Sequence, residues 1–561
     1  MTIPMETHCI SFREIPQTTK LFATFLEDFG RVARYYGQSP TLAGIVAAAK
    51  EVQLDPTVRQ GVVEVLREQN KRFGGTDALD EGIARNLDRL ANGAVAIVTG
   101  QQVGLFTAPA YSFYKAMTAV AYAEELTRQG IEAVPVFWVA TEDHDLAEIN
   151  HAAWTTRTGL AEFALPVGEG EEGRRVGEIK LGEAIAAPVV TAVDTLEGPY
   201  AGDVARALRE SYAPDETYGS AYAKLMARLV AGRGIIFLDP LDSRLHHFAA
   251  GIYRRALDEA DTLREALMAR SKELERGGFH AQVKVAREST LLFYNVDGIR
   301  QPLRQRNGKY FAGDVTFTAD ELRAAIEATP EAFTPNVLLR PVVQDTLLPT
   351  AAYVGGPAEI AYMAQAQVVY RQLLGRMPAM LPRASFTIIE PSVARPLKKY
   401  GLDFRDMLRG RQYLRARMEV KSLPRGLAKR FEKDEKALRK LLEGYRKSFE
   451  RLDGTLNGAL ALTERKMLHR FLNLKRKAGR AENFRTGVLD RHERILVDAL
   501  YPHRGLQERT LSALPWLAAY GPEFLDDLAE LSAIGASGAA SANKRSTNAA
   551  PCAHQHHVIF T

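Results

Sequence analysis

Residues 94–107 read AVAIVTGQQVGLFT and residues 133–145 read AVPVFWVATEDHD, and these two stretches decide the fold. Each begins with a short continuous apolar run, the pattern of a strand that is buried on both faces of a parallel sheet. The segment 109–129 between them is typical of a helix that ends before Gly130. Strand, helix and strand in this order form a βαβ unit. The sequence therefore predicts an α/β fold with a Rossmann-like, doubly wound parallel sheet.

The same sheet is predicted to continue with strands at 234–238, 350–354 and 385–389. Alternating apolar residues predict two connecting insertions, near 151–230 and 279–330, the first of them a small antiparallel unit that includes Val176, Ile179 and Leu181. Thr318 and Glu321 have the spacing of a helix capping box. We therefore expect a Rossmann-like core over 93–392, with an N-terminal helical segment over 1–92 packing on it.

A heptad-like repeat follows the core. Its apolar positions alternate in steps of three and four, as in a coiled-coil seam: Phe431, Leu438, Leu442, Tyr445, Phe449, Leu452 and Leu456. Apolar residues then recur at intervals of seven from Leu460 to Ile495, after a reversal at Asp453-Gly454. This pattern predicts an antiparallel helical hairpin, within a coiled-coil dimerisation domain over 393–510.

The remaining C-terminal sequence is divided by composition. Residues 511–533 are predicted to be return helices, and 534–550, which are small and polar, a disordered linker. Residues 551–561 are predicted to return as a C-terminal strand, with 557–560 at a sheet edge.

Length and composition exclude several classes of protein. A chain of 561 residues is expected to contain several domains, since one domain takes roughly 150 residues. No apolar run approaches the roughly 18 residues that a membrane helix needs, and no secretory signal is visible, so we expect a cytoplasmic protein without a membrane partner. Cys9 and Cys552 lie near opposite ends of the chain and are expected to be free thiols.

The positive charge is concentrated in one segment. The formal net charge is +5, yet residues 421–480 contain 18 Lys or Arg and 7 Asp or Glu. Such a segment can bind nucleic acid through phosphate contacts. Its charges fall largely between the seam positions and no regular aromatics accompany them, which favours a solvated coiled-coil face. We therefore expect no nucleic-acid partner.

The first candidate site is the loop after the first core strand. In an open α/β sheet, ligands bind outside the carboxyl ends of the strands. Gly100 and Gly104 permit unusual backbone angles, and the amides of Gln101 and Gln102 can hydrogen-bond a polar ligand. We assign these four residues to substrate or nucleotide anions; the alternative is a loop without a binding role.

The second candidate site is Glu142 to Asp145, directly after the next strand. Titratable groups at a strand end suit acid–base chemistry, and we assign His144, oriented by Asp143 or Asp145, to proton transfer. Asn150 and His151 follow and are assigned to binding. The spacing of His144 and His151 is not a recognised metal-ligand spacing, so no metal site is predicted.

The third candidate site is TAAYVGGPAEIAY over 350–362. A strand that enters Gly355-Gly356 and then a helix places a positive helix N-terminus at the same sheet edge. We assign Gly355, Gly356, Glu359 and Tyr362 to substrate binding, together with Arg340 upstream. The alternative is a tight turn with a capping glutamate.

Several unusual stretches, in order along the chain, resemble one family. They are GQQVGLFT (100–107), PAYSFYKA (109–116), PVFWVATEDHDLAEINH (135–151), GFHAQV (278–283), YVGGPAEIAY (353–362) and LYPHRGLQER (500–509). In these stretches the chain resembles the cysteine ligases of bacillithiol biosynthesis. That family has a Rossmann-like core interrupted by connecting peptides and a coiled-coil domain that mediates dimerisation, so the resemblance implies a homodimer.

The resemblance also implies an activity, the joining of the cysteine carboxylate to the free amine of glucosaminyl-malate. Because amide formation from a carboxylate is uphill in water, activation is expected, with ATP as a possible activating co-substrate and no metal beyond magnesium that accompanies a nucleotide. No KMSKS or Walker loop is present. The alternative is a noncatalytic nucleotide- or RNA-binding protein with a nucleotidyltransferase-like fold.

Overall fold

The computed structural model describes residues 6–75, 78–533 and 554–561. The chain divides into two compact units. The first comprises Met1–Thr156, Ala161–Phe386 and Glu508–His557. The second comprises Arg157–Leu160, Thr387–Gln507 and Val558–Thr561. Every candidate site residue named above lies in the first unit.

The first unit begins with a strand and four helices and then enters the predicted βαβ unit. The elements are β1 (Glu6–Ile10), α1 (Lys20–Glu27), α2 (Leu42–Lys50), α3 (Pro56–Gly74), α4 (Glu81–Ala91), β2 (Val95–Gln101), α5 (Tyr111–Arg128) and β3 (Ala133–Val139). Val98 of β2 pairs in parallel with Val136 of β3, which confirms the βαβ unit. Both strands are buried along almost their whole length, as their continuous apolar sequences require.

The segment between β3 and the next core strand is mostly helical. It contains α6 (Leu146–Ile149), β4 (His151–Thr156), β5 (Gly159–Ala164), α7 (Ala186–Asp194), α8 (Ala201–Ser211) and α9 (Tyr218–Leu229). The antiparallel part ends with the β4-β5 hairpin. The expected strand through Val176 and Ile179 is wrong, because Val176–Glu178 is a 3-10 turn that buries apolar residues at a spacing of three.

The second insertion is an antiparallel sheet. After β6 (Ile236–Leu238) come α10 (Ser243–Asp258), α11 (Ala260–Arg276), β7 (Ser289–Val296), β8 (Ile299–Arg306), β9 (Lys309–Ala312), β10 (Val315–Phe317), α12 (Ala319–Ala328) and β11 (Phe333–Pro335). The strand order is β10-β9-β8-β7-β11. The capping box of Thr318 and Glu321 forms at the start of α12, as its spacing predicts.

The central parallel sheet is completed by two strands that follow the second insertion. The elements are α13 (Arg340–Leu347), β12 (Thr350–Gly355), α14 (Pro357–Leu373), β13 (Ala379–Pro382) and β14 (Ser385–Ile389). Within the described residues the sheet has five strands in the order β13-β12-β2-β3-β6. Placing 385–389 in this sheet is wrong, since β13 takes the edge position. Its sequence AMLP ends in Pro382, and an edge strand accommodates a proline that an interior strand would not.

The C-terminal region begins with helices. They are α15 (Pro391–Tyr400), α16 (Phe404–Leu408), α17 (Arg411–Lys421), α18 (Arg425–Leu452), α19 (Leu456–Thr486) and α20 (Val488–Leu500). Helices α18 and α19 form the predicted hairpin, with Phe431 of α18 against Phe471 of α19. The expected continuous second helix to Ile495 is wrong, because Gly487 adopts a left-handed φ of 63° and ends α19.

The chain then closes with three helices and a strand. These are α21 (Gln507–Thr510), α22 (Leu514–Tyr520), α23 (Glu523–Ala533) and β15 (His556–Phe560). Strand β15 lies between β1 and β14, at the centre of a three-stranded sheet and not at its edge. The predicted linker over 534–550 lies outside the described residues. Within the described ranges, no helix is long and apolar enough to cross a membrane.

Cys9 lies in β1 and forms a disulfide, so the expectation of a free thiol is wrong for this residue. Cys552 lies outside the described residues. Because β1 and β15 are neighbours in one sheet, the two ends of the chain meet. Spacing along the sequence could not show this.

The protein is expected to lose stability in mild acid because three of its histidines are buried. Burial lowers the pKa of His246, His556 and His557 to about 4. The unfolded chain takes up these protons below pH of about 6.5, so stability present at neutral pH is lost as the pH falls towards 4. Each histidine is expected to remove roughly 2 kcal/mol by pH 5, measured by urea unfolding. His557→Leu, which removes a buried imidazole whose Nδ1 has no hydrogen-bond partner among the described residues, should lower this pH dependence; an unchanged slope would contradict the idea.

Candidate functional site

The candidate site lies at the carboxyl edge of the central sheet. Strands β12, β2 and β3 are adjacent and parallel, so their ends at Gly355, Gln101 and Val139 lie side by side. The three segments singled out in the sequence follow these ends directly. Parallel topology therefore brings them to one edge, where ligands of doubly wound folds bind.

Lys115 of α5 joins the first and third segments. Its buried Nζ donates to the carbonyl oxygen of Gly100 at 2.7 Å and to Oε1 of Gln101 at 2.9 Å. It also forms an ion pair with Oε2 of Glu359 at 2.5 Å. Burial lowers the pKa of Lys115, and Glu359 opposes that shift. The three donors of the ammonium group are thus all occupied, which makes Lys115 a brace between the two loops.

Glu359 is the predicted capping residue and also part of this brace. Its Oε2 accepts from the backbone nitrogen of Gly356 at 2.8 Å, and its Oε1 accepts from the hydroxyl of Tyr353 at 2.7 Å. Burial would raise the pKa of Glu359, but the charge of Lys115 holds it below its usual range. The capping alternative and the site assignment therefore describe the same carboxylate.

Arg340 and Tyr362 lie on the same side of β12. The guanidinium of Arg340 donates to the Tyr353 hydroxyl at 3.4 Å and lies over the Trp138 ring at 5.8 Å. Tyr362 is buried beside it. Arg340 is partly exposed, so its charge remains available at the edge.

Gln102 connects the first segment to the second. Its Nε2 donates to Oδ2 of Asp143 at 2.7 Å and to Oε2 of Glu148 at 2.9 Å. Burial would raise the pKa of Asp143, but contacts with His144 and Gln102 and the charge of Arg300 lower it below its usual range. Asp143 is therefore a carboxylate at neutral pH and serves as an anchor for its neighbours.

His144 is held by an arginine from the second insertion. Nη1 of Arg300 lies 2.9 Å from Nδ1 of His144, whereas Oδ1 of Asp143 lies 3.5 Å from the same nitrogen. Nδ1 cannot accept a hydrogen bond from Arg300 and donate one to Asp143 at the same time, and we assign it to the shorter contact, which is with Arg300. Because a guanidinium only donates, Nδ1 accepts and the proton resides on Nε2. The free nitrogen of His144 is then a donor, which does not suit the proton-accepting role predicted for it.

Three predicted residues take other positions. Asp145 caps α6 through the backbone nitrogen of Glu148 and is exposed, so it does not orient His144. Asn150 donates to the carbonyl oxygen of Leu165 at 3.1 Å and lies 3.4 Å from His151. Within the described chain, neither Asn150 nor His151 contacts the cluster of Gln102, Asp143 and His144.

The four glycines assigned to the site allow close packing, and they do not adopt unusual backbone angles. None of Gly100, Gly104, Gly355 and Gly356 has a positive φ, and the left-handed residues of the first loop are Phe106 and Thr107. A Cβ at Gly100 would lie 2.9 Å from the Trp138 carbonyl oxygen, and one at Gly104 would lie 2.0 Å from that of Ala108. The expected backbone freedom of Gly100 and Gly104 is therefore wrong.

Four residues at this edge were absent from the predicted set, and a fifth, Glu142, was named in the second candidate segment without a role of its own. All five are charged side chains that are largely buried: Lys115, Glu142, Arg175, Arg300 and Arg383. Glu142 and Lys115 lie inside sequence motifs quoted above, where an ionisable residue within an apolar stretch could have indicated a functional role. Arg175 and Arg300 come from the two insertions and carry no local signal. No group of three His, Cys, Asp or Glu residues in the described part of the chain is placed to hold a metal ion.

Two family models match consecutive parts of the chain. Residues 5–384 match the N-terminal Rossmann-like domain of bacillithiol biosynthesis BshC, and residues 386–534 match the C-terminal coiled-coil domain of the same family.

Relatives that align over almost their whole length are named "Putative cysteine ligase BshC". The relative from Koribacter versatilis is 41% identical over 522 residues, which cover 93% of this chain and 97% of the relative. The relative from Solibacter usitatus is 37% identical over 523 residues, covering 92% and 96%. The relative from Salinibacter ruber is 34% identical over 516 residues, covering 91% and 93%.

Proposed function

This chain belongs to the BshC family of bacillithiol biosynthesis, and from that premise we propose that it is a ligase that joins the carboxyl group of cysteine to the amine of glucosaminyl-malate. The observation that carries the proposal is the convergence of cationic side chains at one sheet edge. Arg300 and Arg340 lie at the ends of β3 and β12. Cysteine and the malate half of the second substrate are both carboxylates, which arginine recognises well.

The residues of the edge have distinct roles in this proposal. Gln101, together with the N-terminus of α14, binds substrate or nucleotide anions, whereas Gln102 holds the carboxylates of Asp143 and Glu148. Asp143 and Arg300 orient His144, whose Nε2–H donates to an oxygen that gains charge during the reaction. In this arrangement the anionic groups of the substrates are bound before the amine attacks.

ATP is proposed as the activating co-substrate, since the carboxylate of cysteine is unreactive towards an amine. The arginines and the α14 N-terminus fit a phosphate-bearing molecule. ATP would supply the group that converts the carboxylate into an acyl donor, with magnesium as its ordinary companion. The residues described above then bind and orient the substrates.

Product formation tests the proposal. Purified protein is incubated with cysteine and glucosaminyl-malate, with and without ATP, and the amide is sought by mass spectrometry. Serine in place of cysteine is the matched control. Absence of the amide under all these conditions would overturn the proposed reaction, and equal yield without ATP would overturn the proposed energy source.

Nucleic-acid binding through the basic hairpin is the competing function. Several of its arginines already pair with acidic groups, such as Arg439 with Glu464 at 3.4 Å and Arg480 with Glu419 at 2.8 Å. Such pairing weakens the attraction to phosphates. RNA affinity that falls steeply with added salt would support the competing function.

We also propose that the protein is a homodimer through the hairpin. Several of its apolar side chains are exposed in the single chain: Leu441, Tyr445, Leu452, Leu474 and Phe484. Large exposed apolar patches mark interaction sites, and a coiled-coil seam is the usual way to cover them.

The double substitution Leu441→Lys and Tyr445→Lys is expected to give monomers, because two charges would enter the apolar contact. Native mass spectrometry or light scattering measures the change. Glu443→Lys adds the same net charge on another face of α18 and is expected to leave the dimer unchanged. A dimer that survives the double substitution would contradict this interface.

A further inference from the structure

Glu142 and His246 face each other at the sheet edge without an ordinary hydrogen bond. Oε1 of Glu142 lies 3.7 Å from Nε2 of His246, and both atoms are buried without a hydrogen-bond partner among the described residues. Glu142 is 6% exposed and His246 is 2% exposed. A buried polar atom without a partner costs about 1–3 kcal/mol, so such a pair calls for a functional explanation.

His246 is a neutral side chain with a defined orientation. Burial, followed by the charge of Arg175, lowers its pKa to about 4. Its Nδ1 lies 3.1 Å from the hydroxyl of Tyr253, whose own pKa is raised well above its usual value by burial. The hydroxyl therefore keeps its proton, and in the tautomer that serves Glu142 it donates that proton to Nδ1. The other nitrogen then presents its N–H towards Glu142.

Charged and titratable groups from several elements surround Glu142. They are Arg300 of β8, Arg175 of the first insertion, Arg340 of α13, Asp239 after β6, and His246 and Tyr253 of α10. Burial raises the pKa of Glu142 to about 7, and the three arginines limit the rise. The carboxyl group thus exchanges its proton in the neutral range, where a general base is most effective.

We propose that Glu142 takes the proton from the ammonium group of the amine substrate and that His246 is a positioning residue for its carboxylate. In this step the substrate N–H bond breaks, its electron pair stays on nitrogen, and the proton becomes the O–H of the Glu142 carboxylic acid. The neutral amine can then form the C–N bond. This inference rests on the proposed ligase function and places proton acceptance on Glu142 in place of His144, whose Nδ1 is occupied by Arg300.

Turnover and binding are measured separately for Glu142→Gln, which keeps the size of the side chain and removes the base. We expect kcat for amide formation to fall by about 10²- to 10⁴-fold. Calorimetry should show that the affinity for glucosaminyl-malate changes little. An equal loss of affinity would overturn the assignment, because Glu142 would then be a binding residue.

The pH profile gives a readout that a structural role would not change. In the wild type, kcat should fall below pH of about 7 as Glu142 gains a proton. Glu142→Gln should lose this dependence and His246→Ala should shift its midpoint. The control Asp345→Asn changes a buried carboxyl with hydrogen-bond partners in Tyr370 and Gln344, and it should keep the wild-type profile. A Glu142→Gln profile that retains the acid limb would overturn the proposal.

Infrared difference spectra separate this inference from the reaction itself. At a pH above 7, addition of glucosaminyl-malate to the wild type should produce a protonated-carboxyl band that Glu142→Gln lacks. If no amide forms but the band is present, the ligase function fails and the proton transfer stands. If the band is absent, Glu142 is not the proton acceptor.

Discussion

Replacing His144 by alanine is expected to lower kcat for amide formation by about 10²- to 10³-fold, the usual effect of removing one donor to a developing oxyanion. Arg300 holds Nδ1 of His144 at 2.9 Å and so fixes the proton on Nε2. The ring is only partly buried, and its centroid lies 5.8 Å from that of the Phe293 ring. The fold should therefore survive the substitution, as urea unfolding would show.

Two further variants test whether His144 acts as a hydrogen-bond donor and whether the effect is specific to this histidine. His144→Gln places an amide N–H near the former Nε2 and should recover part of the activity, whereas a base role would leave it as inactive as alanine. His247→Ala removes an exposed histidine of α10 and should retain wild-type turnover. Wild-type kcat in His144→Ala would show that the ring is structural.

The position of the site could be predicted from local sequence, since it depends only on parallel strands and their ends. The apolar runs at 94–98 and 133–140 define two adjacent strands, and parallel pairing brings Gln101 and Asp143 to one edge. Glu359 was predicted for the same reason, because it follows β12 by one helical turn. These predictions use interactions close in sequence.

The partners that tune the site could not be predicted in this way. Arg300 reaches His144 across 156 positions of sequence, from a strand whose alternation showed an insertion but not where it packs. The same limit explains the wrong assignment of 385–389, because the pairing of β14 with β15 depends on the far end of the chain. Gly487 was overlooked because the seven-residue repeat continues through it, although a left-handed glycine ends a helix.

Replacing Arg383 by methionine is expected to destabilise the protein by about 3–5 kcal/mol, because it leaves a buried carboxylate unpaired. Nη2 of Arg383 lies 2.6 Å from Oε1 of Glu508, and both side chains are almost fully buried. The same carboxylate accepts from Oγ of Ser385 at 2.8 Å and from the backbone nitrogen of Phe386 at 2.9 Å. Burial would raise the pKa of Glu508, but Arg383 holds it below its usual range. Loss of Arg383 removes the main interaction that keeps the carboxylate charged.

Urea unfolding of Arg383→Met, Glu508→Gln and the double variant measures this pair without reference to turnover. The double variant should be less destabilised than the sum of the single variants, because neither partner is then left as an uncompensated buried charge. The deficit of Arg383→Met should also shrink as the pH falls towards 4.5, because the unpaired Glu508 of the variant gains a proton in the folded state while the wild-type carboxylate, with its lowered pKa, stays charged. Additive losses, or a deficit that is constant with pH, would show that Arg383 stabilises the unit through packing and not through the charge of Glu508.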